Sequence, residues 1–355
     1  MASGQKIGFG IIGAGAIGPF HTEAITDLPN GQLVGVCDKV EARAKALAKK
    51  FNAKTWCTDY YKLLERKDID VVNLCLPPFL NEEMTLAAAE AGKHVIVEKP
   101  MALNVNQADN MIAACRKAKV KLGVILPCRF SKDTQLIKRS IEEDKLGKLF
   151  MGSAYTKWFR TKEYYEGAPW RKIWDGQGGG ALINQAIHAI DLLQWFMGPV
   201  ESLYGLMDTV AHKMEVEDIA VAALKFKNGA IGVIEGSTAV YPGFPRRIEI
   251  TGARGSIILK VNEVELWAIV GSEIRVRGSL EEDYINKRLG DASSGPVHLS
   301  SELHRLQIKD FIEAIEEDRE ALVNGEEGRK SLEIIEAIYR SARKGKEVKL
   351  PLAKE

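Results

Sequence analysis

Apolar runs and stretches of helical period alternate along the first 127 residues. Residues 6–12 (KIGFGII) form an apolar run that ends at GAGAIG, and PFHTEAITDL then carries apolar positions at helical spacing. The alternation continues through QLVGVCD, helical EARAKALAKKF, DVVNLCL, helical NEEMTLAAAEAG, HVIVE, helical NQADNMIAACRKA and VKLGVIL. Strands alternating with helices predict a parallel, doubly wound α/β sheet. After Leu126-Pro127 the pattern changes to the longer strand-like runs FMGSAYTKWF, AVAALKF and AIGVIEGSTAV, the last two joined by Asn228-Gly229, a type I′ hairpin signal. These runs predict an α+β domain on a largely antiparallel sheet with one side available for covering. Between the first two lies GQGGG, followed by the helical ALINQAIHAIDLLQWFMG. The expected division is 1–127 and 128–355, with C-terminal helices that can pack back on the first domain.

A chain of 355 residues is long enough for two such cores. With 46% hydrophobic and 27% charged residues it reads as globular rather than disordered. The 49 basic residues nearly balance the 48 acidic ones, for a net charge of +1, so no global field favours nucleic acid or an anionic membrane. A small-molecule partner is expected. The five cysteines form no CxxC pair and read as reduced core residues. MASGQK lacks the apolar stretch of a signal peptide, and no run reaches the ~18 apolar residues of a membrane span, so a cytoplasmic location is expected.

The first glycine loop lies between a strand and a helix, which is what makes it informative. Gly13 permits the tight turn, Gly15 lets backbone amides approach a pyrophosphate, and Gly18 allows close helix packing at a terminus that attracts negative charge. Twenty residues beyond Gly18, the second run ends in Asp38, placed to bond an adenosine ribose 2′-hydroxyl. A 2′-phosphate would be repelled there, so NAD is expected over NADP, although Lys39 and Arg43 offset part of the repulsion. Ligands of doubly wound sheets lie beyond the carboxyl ends of the strands. Ala16 and Ile17 in the loop, Leu76, Pro77 and Asn81 after a later strand, and Glu98 and Lys99 after HVIVE therefore join the cofactor candidates of this Rossmann domain. Arg129 beyond the last strand is a substrate candidate.

Lys99 precedes a proline, which keeps its backbone extended at the sheet edge. An ammonium there would stabilise the alkoxide formed when a substrate hydroxyl loses its proton during hydride transfer. GAGAIG, GKHVIVEKP and GGGALINQAIHAIDLLQW together resemble the Gfo/Idh/MocA oxidoreductase family over nearly the whole chain, and EKP is the most specific of the three marks. The tail LHRLQIKDFIEAI with SLEIIEAIYRSARKGKEVKLPL is similar to members acting on sugars. The resemblance implies an open-faced second domain whose uncovered side joins subunits into a homodimer or homotetramer. It also implies that Lys99 is catalytic.

On the helix after the glycine run, Asn184, His188 and Asp191 are spaced to share a face. An unperturbed histidine titrates near 6.5, which suits His188 to proton exchange near neutrality. The resemblance implies that this histidine works with the EKP lysine and that an acidic residue commonly stands four positions earlier. Here it is Asn184, which can position a hydroxyl but cannot take a proton; this weakens a plain inositol, and asparagine here is similar to members acting on pyranosides or sugar nucleotides. Trp158, Tyr164, Tyr165, Trp170 and Arg171 precede the glycine run as sugar-binding candidates, with Arg171 also resembling a position near the nicotinamide pocket. His298 and His304 are weaker candidates. Scattered histidines and no HExxH give no metal site. The expected reaction is reversible oxidation of a secondary ring hydroxyl on a pyranose-like sugar, glycoside or sugar nucleotide. The alternatives are a glycoside hydrolase that retains NAD and oxidises C3 transiently, and a non-catalytic cofactor-binding regulator.

Overall fold

A run buried on both faces belongs in the middle of a covered sheet. Ile7–Ile12 is such a run, with all six residues buried, and it forms strand β1. The computed structural model describes residues 6–277 and 301–353. From β1 the chain proceeds through α1 (Gly18–Thr26), β2 (Gly31–Cys37), α2 (Glu41–Lys50), β3 (Thr55–Cys57), α3 (Tyr61–Leu64), β4 (Val71–Leu74), α4 (Asn81–Glu90), β5 (His94–Val97), α5 (Val105–Ala118) and β6 (Leu122–Val124). The sheet order is β3-β2-β1-β4-β5-β6, with every neighbouring pair parallel. Order reverses between β1 and β4, the point at which such sheets bind ligands. The edge strand β3 escaped the sequence reading because three residues of mixed exposure carry no period.

Beyond residue 127 come α6 (Lys132–Glu142), β7 (Leu149–Lys157), α7 (Lys162–Glu166), α8 (Trp174–Gln177), a π-helical turn over Leu182–Ala186 and α9 (Ile187–Met197). Seven strands follow: β8 (Val200–Asp208), β9 (Ile219–Phe226), β10 (Ile231–Ser237), β11 (Arg247–Gly252), β12 (Gly255–Lys260), β13 (Glu263–Ile269) and β14 (Arg275–Val276). The chain ends with α10 (Ser301–Glu316), α11 (Gly325–Lys344) and β15 (Val348–Lys349). The second sheet runs β14-β13-β12-β11-β7-β10-β9-β8-β15, antiparallel except for the parallel pair β7 and β10.

Residues 6–127 with 301–329 form one compact unit, and 128–277 with 330–353 form the other. Helix α10 thus belongs to the first unit, where Ile308, Phe311 and Ile312 join the core of Ile7, Phe9, Ile11, Ala24 and Ile25. In the second unit α9 lies against β7 so closely that a Cβ on Gly152 would come within 2.7 Å of the Met197 side chain. The other side of that sheet is open. Burial along β9 alternates, with Ala220, Ala222, Leu224 and Phe226 inward and Val221, Ala223 and Lys225 outward. Met151, Tyr204, Leu206 and Ile231 are exposed on neighbouring strands.

The hairpin expected at Asn228-Gly229 is present, but not with a type I′ turn. Only Gly229 has a positive φ (86°) in that loop. Its N–H donates to Phe226 O at 2.9 Å, and Phe226 N–H donates to Ala230 O at 2.8 Å. This is the three-residue loop with one left-handed glycine, the next commonest hairpin connection. Among the described residues no helix is long and apolar enough to cross a membrane.

Candidate active site

In the first unit the three glycines of the loop answer to three different constraints. Gly13 has φ +105°, and a Cβ there would lie 2.3 Å from Cys75 O. At Gly18 a Cβ would lie 2.4 Å from Gly13 O, so only glycine lets α1 start this close to the turn. At Gly15 no atom of the described residues beyond its own chain neighbours lies within 4 Å of that position. The open space above Gly15 borders the start of α1, where Ile17 offers no side-chain cap. Amides at such a terminus suit a pyrophosphate. Asp38 is tied to the same loop, its Oδ2 accepting from Ala14 N–H and its Oδ1 from Val40 N–H, both at 2.8 Å. Ala16, Lys39 and Arg43 are exposed, while Ile17, Leu76 and Pro77 are half-buried. These residues fit a dinucleotide.

Lys99 is the half-exposed residue between buried Glu98 and buried Pro100. Glu98 is 7% exposed, and its carboxylate is committed inside the protein. Oε1 takes the His21 Nε2 contact at 2.8 Å and Oε2 accepts from Lys99 N–H at 3.0 Å. Burial alone would raise this carboxyl, but hydrogen bonds from His21 and His304 outweigh it and hold the group well below the usual range. Asn81 departs from the expectation of a cofactor contact. It is fully buried, and its amide nitrogen donates to Pro100 O at 3.1 Å and Glu98 O at 3.5 Å. Asn81 and Glu98 therefore hold the EKP segment in place. His304 lies on α10 with Nε2 3.8 Å from Glu98 Oε1, whereas His298 lies outside the described residues.

In the second unit Asn184 and His188 are the only half-buried residues between Ala181 and Gln194, in a stretch otherwise buried. Asn184 stands on the π-helical turn, and its amide donates to Gln177 Oε1 at 2.9 Å and to Tyr164 Oη at 3.2 Å. Asp191, one turn further along α9 than His188, does not share this exposure. It is 1% exposed and pairs with Arg129 at 2.6 and 2.9 Å. This corrects the placing of Arg129 as a substrate ligand: it is 0% exposed, bidentate to Asp191 and stacked 5.0 Å from the Trp195 ring. Its donors serve the fold.

Arg171 donates to Tyr164 O at 3.1 Å and lies 4.3 Å over the Tyr164 ring. Tyr164 is also faced by Arg160, which in turn stacks on Trp158 at 5.3 Å. The aromatic candidates Trp158 and Tyr164 and the candidate Arg171 thus gather beside Asn184, while Tyr165 turns inward to Thr238 at 2.8 Å.

The sequence reading missed Glu217. It is 2% exposed, and its carboxylate accepts from Gly180 N–H at 2.6 Å, Leu182 N–H at 2.8 Å and the Tyr339 hydroxyl at 2.9 Å. Burial pushes its carboxyl up to about 7, against these hydrogen bonds. A Cβ on Gly180 would lie 1.8 Å from Glu217 O, and one on Gly179 would lie 2.2 Å from the Tyr339 hydroxyl. Those contacts are the reason for the glycine run, whose partners lie too far along the chain to be read beside it.

A parallel sheet in the order 3-2-1-4-5-6 with this glycine loop and Asp38, beside a second unit on an open sheet, defines a nicotinamide-dinucleotide oxidoreductase. Two models of one family match, the oxidoreductase family NAD-binding Rossmann fold over residues 7–126 and its C-terminal alpha/beta domain over 138–350. The chain belongs to the Gfo/Idh/MocA oxidoreductase family. It is 28% identical over 346 residues to the myo-inositol 2-dehydrogenase of Thermotoga maritima, covering 96% of this chain and 98% of that one. It is 32% identical over 259 residues to the D-glucoside 3-dehydrogenase of Escherichia coli, covering 65% and 70%. Among solved structures, the WlbA dehydrogenase from Bordetella pertussis in complex with NADH and UDP-GlcNAcA superposes with a TM-score of 0.85 at 33% identity, covering 98% of this chain and all of that one.

Proposed function

We propose that this chain is an NAD-dependent dehydrogenase that reversibly oxidises a secondary ring hydroxyl of a pyranose-type sugar, glycoside or sugar nucleotide. What carries the reading is that Lys99 and His188 are each a half-buried residue set in a buried, hydrogen-bonded segment of its own unit. NAD supplies the hydride acceptor when bound. The glycine loop, the start of α1 and Asp38 hold it. Lys99 stabilises the alkoxide, His188 accepts the proton, and Asn184 accepts a hydrogen bond from a substrate hydroxyl. Trp158, Tyr164 and Arg171 line the sugar. Asn184 together with the 33% identity to a protein bound to UDP-GlcNAcA favours pyranosides and nucleotide sugars over plain inositols.

The open face of the second sheet joins copies of the chain into a homodimer or homotetramer. Five buried, unpaired cysteines accord with a reducing cytoplasm. NAD reduction is measured against inositols, free sugars, glycosides and UDP-sugars, and repeated with NADP. We expect accumulation of NADH with at least one pyranoside or UDP-sugar and little activity with NADP. In Lys99→Met and His188→Ala, turnover should fall by roughly 10²–10⁴-fold; wild-type rates in both would remove the assignment.

A further inference from the structure

The end of β5 is held by more hydrogen bonds than a strand terminus needs. Glu98 N–H donates to Leu74 O at 3.1 Å, Asn81 bridges the carbonyls of Glu98 and Pro100, and Lys99 N–H donates to the Glu98 carboxylate. That carboxylate is reached from two helices, by His21 on α1 and His304 on α10, whose rings meet edge to face at 5.2 Å. Behind His21, Asn73 of β4 places Nδ2 3.1 Å from His21 Nδ1.

The proton positions follow from these contacts. An imidazole nitrogen 2.8 Å from a carboxylate oxygen needs a proton between them. The surrounding histidines keep Glu98 charged, so the proton sits on His21 Nε2. Burial pushes His21 itself below its usual value, with Glu98 pulling the other way, so the ring is neutral and Nδ1 accepts from Asn73. Nε2 of His21, Oε1 of Glu98 and Nε2 of His304 all lie within 4.8 Å of one another, a spacing that a metal ion could bridge. With its proton in place, however, His21 Nε2 has no lone pair to offer, and the cluster is a hydrogen-bond frame.

We propose that Glu98 is a positioning residue for Lys99: the chain of bonds from Asn73 through His21 to Glu98 fixes the Lys99 amide, and so fixes where its ammonium can reach. A lysine side chain has four rotatable bonds, so its reach is set by how firmly its Cα is anchored. A buried ion pair can be replaced by apolar groups at little cost, but the Glu98 carboxylate, oriented by His21, is the acceptor for a single backbone N–H. The inference rests on Lys99 acting at the substrate hydroxyl, as proposed above.

The test uses the full chain with ¹⁵N-labelled lysine. In Glu98→Gln, amide exchange at Lys99 should quicken at least tenfold, while Lys93, whose N–H is bonded to Ala88 O at 2.9 Å, stays within twofold. With UDP-GlcNAcA and myo-inositol assayed side by side, kcat should fall at least tenfold and the KM for NAD should stay within threefold. His21→Leu should reproduce both effects, and His21→Gln, whose carboxamide restores an N–H donor, should recover most of each. This second pair decides the matter if Glu98→Gln does not fold. Unchanged Lys99 exchange, kcat and NAD KM moving together, or a glutamine that rescues no better than leucine would overturn the proposal. Wild-type turnover in Lys99→Met would instead remove the role of Lys99 and leave the exchange result standing.

Discussion

Three buried carboxylates show how one residue type takes different states in this chain. Asp191 meets Arg129 in a two-bond pair, and Glu98 meets two imidazoles and a backbone amide. Glu217 meets two backbone N–H groups and a tyrosine hydroxyl, and burial dominates. Its proton is held more tightly in the folded protein, at about 7, than at the ordinary 4.5. The sign follows: the stability from this group is fully present below about 4.5 and is lost as pH rises through about 7. We expect the wild-type Tm to fall between pH 5 and pH 7.5 by more than that of Glu217→Gln. Equal slopes in a pH series of calorimetric scans would show that Glu217 does not titrate in this range. Removing one partner of the Arg129 and Asp191 pair leaves a buried charge alone, a loss of about 3–5 kcal/mol, which is why Arg129 cannot be spared for a ligand.

At the scale of the element, the starts of two helices carry the site, and glycine serves each differently. Helix α1 begins beside an empty space at Gly15, whereas the turn leading to α9 begins where Gly180 touches the Glu217 backbone. Gly15→Ala should leave stability within about 0.5 kcal/mol and weaken NADH binding at least tenfold by fluorescence titration. Gly180→Ala should cost about 3 kcal/mol or more in urea unfolding, because the contact is with backbone and cannot turn aside. If the two variants behaved alike, the division between a cofactor glycine and a packing glycine would be lost. The glycine loop was legible in the sequence because its strand, turn and helix are adjacent along the chain. The GGG run was visible too, but its meaning lay in Glu217 and Tyr339, 37 and 159 residues beyond Gly180.

For the whole molecule, the feature left outward is the apolar side of the nine-stranded sheet. Leu206 and Ile231 are 62% and 57% exposed, and Tyr204, Val221 and Met151 are exposed on the same sheet. This is the face proposed above to join copies of the chain, as an exposed apolar patch of this size would do. Leu206→Glu with Ile231→Glu should lower the mass found by light scattering toward that of a 39.2 kDa monomer, with the circular dichroism spectrum retained. A mass unchanged from that of the wild type would remove this face as the proposed interface.

By itself the sequence determined the doubly wound sheet and the place of the glycine loop with Asp38. Each is written in neighbouring residues, in a two- or 3.6-residue period or a short fixed spacing. Only tertiary structure decided which polar residues face a ligand and which hold the fold. Arg129 and Asp191 went to each other, Asn81 went to the carbonyls of Glu98 and Pro100, and Glu98 went to the Lys99 amide. Those outcomes depend on burial, since a charged or amide group removed from water must find its partner wherever the fold brings one, however distant along the chain.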